Sequence, residues 1–81
     1  MNNEYAVEQA ELFLKKIKHL RLLEEKTQVG LSNESGITQK TISRLESGKS
    51  VPSLQTLIHL IDTLGYKVEF KVEKKGDELN D

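Results

Sequence analysis

Residues 27–49 read TQVGLSNESGITQKTISRLESGK, and the fold turns on how this stretch is divided. Thr27 reads as the N-cap of a short helix that begins at Gln28 and runs to about Asn33, after which Ser35 and Gly36 break the pattern. Thr38 then stands where an N-cap opens another helix, and that helix has only two apolar anchors, Ile42 and Leu45. Gly48 closes it.

Two short helices joined by a tight turn at Gly36, the second polar along its outer side, match a helix-turn-helix unit. Such a helix needs apolar residues only on its inner side, so its outer side is free to carry Thr38, Gln39, Lys40, Ser43 and Arg44. These residue types suit base edges: Arg or Lys bonds guanine, and Gln bonds adenine in a bidentate way. Gln28 opens the preceding helix, where a side-chain amide and backbone N–H groups can meet a phosphate.

Outward from this unit, the apolar positions Val7, Ala10, Phe13 or Leu14, Ile17 and Leu20 recur at helical spacing. They predict one long amphipathic helix, capped by Asn3 and ending near Glu25 or Lys26. Downstream, GKSVPS is a loop, Pro52 biases Val51 away from helix, and Ser53 caps a fourth helix. Its expected inner face is Leu54, Leu57, Ile58, Ile61 and Leu64, with Gly65 as terminator. After Gly65 the period changes to two: Tyr66, Val68, Phe70 and Val72 alternate with Lys67, Glu69, Lys71 and Glu73. This predicts a strand with one apolar face. No other segment reads as a strand, so its ladder hydrogen bonds require a partner, most simply a second copy.

Composition bounds the function. With 81 residues, 31% charged and 36% apolar, the chain reads as one small soluble domain that would gain stability by dimerising. The absence of cysteine excludes disulfides, thiolate chemistry and cysteine-ligated zinc. His19 and His59 lie on different predicted helices without ligand spacing, so no metal, cofactor or catalytic centre is expected, nor an enzyme. Neither a signal-peptide pattern nor a membrane-length apolar run occurs, and a cytoplasmic location is expected. Leu22 and Leu23 cannot both face one core, which leaves one as an incidental exposure or as a protein-contact spot. Lys15, Lys16 and Lys18 read as a solvated helix face.

Net charge is −1, where nucleic-acid-binding domains usually carry a basic excess. Residues 27–65 hold three Lys and Arg against three acids, so position has to matter more than the total.

The run TQVGLSNESGITQKTISRLESGKSVPSLQTL resembles the phage-repressor and Cro family of helix-turn-helix regulators, the XRE family, over roughly residues 14–65. The resemblance implies that Thr38, Gln39, Lys40, Ser43 and Arg44 read bases of an operator in double-stranded DNA. It places Gln28 and Lys49 at backbone contacts, and Arg21 and Glu46 at the positions of a structural ion pair. Glu25 and Lys26 replace the Gly-Leu usual before T-Q, Gly30 replaces a charged helix former, and Ser35 replaces a common apolar residue. The terminal strand, in place of a fifth helix, looks more like the HipB-type antitoxins, whose dimers join through such a strand. The expected fold is therefore all-α. A four-to-five-helix, repressor-like DNA-binding domain spans residues 1–65, a dimerisation strand formed by Tyr66, Val68, Phe70 and Val72 spans 66–74, and a polar tail spans 75–81. The functional reading is a homodimeric regulator, a repressor, and the alternative is an antitoxin that also binds a protein toxin.

Symmetry constrains the strand. An antiparallel pair centred on Glu69 or Lys71 stacks like charges, whereas centring on Phe70 sets Lys67 opposite Glu73 and Glu69 opposite Lys71. The Phe70 register is expected, with Val68 as the second choice.

Overall fold

The computed structural model describes residues 3–76 and has four helices: α1 (Glu4–Leu23), α2 (Gln28–Ser35), α3 (Gln39–Glu46) and α4 (Leu54–Thr63). A short polar side chain opens each. Asn3 Oδ1 accepts from the Ala6 N–H at 3.0 Å, and Thr27 Oγ1 from the Gly30 N–H at 2.9 Å. Thr38 Oγ1 accepts from Thr41 and Ser53 Oγ from Thr56, both at 3.1 Å. Each bond satisfies one of the N–H groups that a first helical turn leaves without a partner. Gly36 ends α2 at φ 78°, a left-handed geometry that turns the chain sharply into α3 and that glycine adopts without strain.

All four helices share one core. Leu14 and Ile17 of α1 meet Leu31 of α2, Ile42 and Leu45 of α3, and Leu57, Leu60 and Ile61 of α4, with Leu64 just beyond it. Burying each of these is worth about 1.5 to 3 kcal/mol, and α2 and α3 are too short to persist without that packing.

Several expected faces shift. Leu54 and Ile58 are exposed, and Leu60 is fully buried in their stead. Apolar residues occur on two sides of α4, so periodicity alone cannot choose between them. Val7 is exposed because α1 buries side chains only from Leu14 onward, and Leu22 and Leu23 are both exposed. α1 stops at Leu23, earlier than expected, because Glu25 takes a left-handed φ of 56° and the Lys26 N–H donates back to the Arg21 carbonyl at 3.1 Å.

The C-terminal strand is a correction. Among the described residues there is no strand, and residues 66–74 make no ladder hydrogen bonds. The side chains nevertheless alternate. Lys67 pairs with Glu69 at 3.2 Å and Lys71 with Glu73 at 2.9 Å, so residues two apart share a side, as in extended chain. A ladder needs a second extended segment, and among the described residues none pairs with this one. Tyr66 and Val68 pack against the core, and the Tyr66 hydroxyl donates to Glu24 Oε2 at 2.6 Å, which raises its pKa above the usual phenol value. Phe70 and Val72 are 61% and 96% exposed. Of the expected polar tail, residues 77–81 lie outside the described residues.

Candidate nucleic-acid interface

The inner side of α3 is fixed by Ile42 and Leu45, and this aims Gln39, Lys40, Ser43 and Arg44 at solvent. Thr38 is exposed too, but its hydroxyl already works as a cap, accepting from Thr41 N and donating to Thr41 Oγ1 at 2.9 Å. A methyl group and one lone pair remain available to a ligand. Ser47 lies on the same outer side, four residues after Ser43, and its hydroxyl donates to the Arg44 carbonyl at 3.1 Å. Its spacing of three residues from Arg44 and four from Ser43 is the signal in the sequence that extends the outer face to it.

Behind α3 lies a buried charged residue, Arg21. Its Nε donates to Glu46 Oε2 at 2.7 Å, its Nη2 to Glu46 Oε1 at 2.8 Å, and its Nη1 to the Lys26 carbonyl at 2.7 Å. Side-chain exposure is 8% for Arg21 and 3% for Glu46. Gln28 Nε2 adds a bond to Glu46 Oε1 at 3.1 Å. One guanidinium and one carboxylate thus tie the end of α1, the start of α2 and the end of α3. Burial pushes Glu46 toward its neutral form, but the hydrogen bonds from Arg21 and Gln28 and the Arg21 charge outweigh it, so the carboxyl lies below the usual range. Arg21 is shifted up, chiefly by its bond to Glu46.

Gln28 is therefore partly engaged: one amide N–H goes to Glu46, while the other N–H and the carbonyl are left for a ligand. Lys49 is exposed just past α3, where its backbone N–H caps the Arg44 carbonyl at 2.9 Å and its ammonium is unpaired among the described residues.

Charge now sorts by position. Glu46 is neutralised by Arg21, and Glu34 pairs with Lys26 at 2.8 Å, both cations coming from outside residues 27–65. Lys40, Arg44 and Lys49 form no salt bridge among the described residues. The balanced count in the sequence conceals a face with three unspent cations.

The profile of a family described as helix-turn-helix matches residues 17–71, well over half of the chain. The chain belongs to the XRE-type helix-turn-helix family. It is also 35% identical over 54 residues, 67% of this chain and 82% of the relative, to an uncharacterised HTH-type transcriptional regulator of Methanocaldococcus jannaschii. No solved structure matches the chain. As a member of this family of transcriptional regulators it is a DNA-binding protein, and the geometry accounts for two of its departures from the family pattern, Glu25 and Ser35. Glu25 occupies a left-handed position that suits the usual glycine. The structure gives no reason for glycine at position 30, because Ala6, Thr41 and Thr56 occupy the equivalent position in the other capped helices. Ser35 Oγ accepts from the Ile37 N–H at 3.1 Å, satisfying a turn donor that an apolar residue would leave open. Among the described residues no helix is long and apolar enough to cross a membrane.

Proposed function

We propose that this protein is a sequence-specific repressor that binds a two-fold symmetric operator in cytoplasmic DNA as a homodimer. The observation that supports it best is the outer face of α3, where Lys40, Arg44 and nearby Lys49 are unpaired while both acids of the motif are held by Arg21 and Lys26. Gln39, Lys40, Ser43 and Arg44 read base edges, with Thr38 adding its methyl group, and Gln28 and Lys49 hold phosphates. Residues 1–65 form the DNA-binding domain.

The homodimer reading rests on the exposed apolar side chains of Phe70 and Val72 and on the extended spacing of residues 66–73. Pairing two copies about Phe70 lets Lys67, Glu69, Lys71 and Glu73 exchange their neighbours in the chain for opposite charges across the ladder. Tyr66, Val68, Phe70 and Val72 then form one apolar row, and the backbone donors that face the partner strand find acceptors.

Selection of bound sequences from a random duplex pool tests the reading. A consensus of two inverted half-sites about one helical turn apart is expected. Recovery of no consensus, or of a single asymmetric site, overturns the operator-binding homodimer.

A further inference from the structure

α1 is longer than its core contact. It buries Leu14, Ile17 and Arg21 on one side and leaves its opposite side to solvent. That outer side is not uniformly polar: Tyr5, Glu8, Leu12, Lys16, His19 and Leu23 follow one another at spacings of three or four residues, so they form one stripe, and all are exposed. Tyr5 is 71% exposed, and Leu12 and Leu23 are each 58% exposed. Tyr5 also lines a shallow cleft with Val72, so the stripe joins the uncovered apolar row of the C-terminal segment.

We infer that a second copy of this chain covers the stripe through an antiparallel α1–α1 contact centred on Leu12, an inference that rests on the homodimer reading above. Charge selects the occupant. The start of α1 carries Glu4, Glu8 and Glu11, and the next turns carry Lys15, Lys16 and Lys18. Two such helices side by side in parallel set like charge on like, whereas antiparallel they complement each other and their dipoles oppose. Centring on Leu12 puts Leu12 against its own copy, Tyr5 against His19 of the partner subunit, and Glu8 against Lys16 of the partner subunit. Two-fold symmetry makes the Glu8–Lys16 contact twice. Centring on Glu8 or Lys16 instead sets a charge against itself. Area points the same way. A single short ladder falls well below the ~1,600 Å² that a standard stable interface buries, and the helix stripe extends the same surface.

The test uses the full chain and sedimentation equilibrium at low salt. Glu8→Lys and Lys16→Glu are measured singly and together, with Phe70→Lys in parallel to read the strand contact. Residues 8 and 16 lie about 12 Å apart along one helix, too far to touch, so any rescue reports the contact between copies. Each single swap is expected to weaken the dimer about 3- to 10-fold, as two exposed pairs become two repulsions. The double swap is expected to return it to within about two-fold of the wild type. Single swaps without effect, or a double swap no better than the singles, overturn the helix contact. The strand dimer then still stands if Phe70→Lys dissociates it. A wild-type chain that stays monomeric at every concentration overturns both.

Discussion

The helix-turn-helix stretch, residues 27–50, and the C-terminal stretch, residues 66–74, both mix charged with apolar side chains, yet they end in opposite conditions. In the first, every helix start is capped, both acids are paired, and the apolar anchors Leu31, Ile42 and Leu45 are buried. In the second, only Tyr66 and Val68 pack against the core, the backbone makes no ladder, and the charges pair only with residues two positions away. The first region satisfies its helix starts, acids and apolar anchors within one chain, and leaves only the cations of its outer face unpaired. The second leaves exposed apolar side chains and backbone donors without a ladder, and this is what the proposed homodimer would cover.

The largest effect should come from the complete region. Glu46→Ala strands the Arg21 guanidinium, and equilibrium urea unfolding should show a loss of about 3 to 5 kcal/mol. A loss below about 1 kcal/mol would mean that the pair is no more than a surface contact. The same residue carries a pH signature. Because its folded pKa is depressed, its contribution is fully present above the ordinary glutamate value of about 4.3 and disappears as pH falls through the folded value. Glu46→Gln should flatten that part of the stability profile relative to the wild type.

Next in size is the incomplete region. Truncation after Gly65 should give a monomer whose operator affinity falls about 100-fold or more, because the two half-sites are then bound independently. Gel-shift titration beside sedimentation checks this, and a truncated chain that still dimerises breaks the comparison. Within the recognition face, Arg44→Ala should cost about 1 to 3 kcal/mol on the operator and relax preference at one base position. Lys49→Ala should instead weaken all duplexes alike and lower the salt slope by about one. An unchanged selected consensus for Arg44→Ala would remove that residue from base reading. Smallest is Glu25→Gly, which relieves a left-handed glutamate and should raise stability by about 0.5 to 1 kcal/mol in thermal melts.

Local chemistry was legible in the sequence. Asn3, Thr27, Thr38 and Ser53 read as caps and act as caps, because capping depends only on a side chain and the three residues that follow it. The inner face of α4 was legible in Leu57, Ile61 and Leu64 but its edges were not, since whether Leu60 or Leu54 and Ile58 are covered depends on how α1 and α2 pack against it rather than on α4 itself. The meeting of Arg21 and Glu46 came from family resemblance, and spacing alone would not bring together residues 25 positions apart. The bond from Gln28 to Glu46 joins residues 18 positions apart, and no spacing within a helix points to it. A period of two described the C-terminal segment's side chains correctly, but a strand is a property of two segments, and the pattern of one cannot supply the second.

The convergence of three helices on the Arg21–Glu46 pair bears on how the molecule opens. α2 and α3 have eight residues each, too short to hold a helix alone, and both are tied to α1 through the same two side chains and the same core. Neither can fray without breaking the contact that holds the other. The amides of Ile42 and Leu45 should therefore exchange with solvent only when the whole bundle unfolds, whereas those of residues 69–73 exchange at the rate of an open chain until another strand protects them.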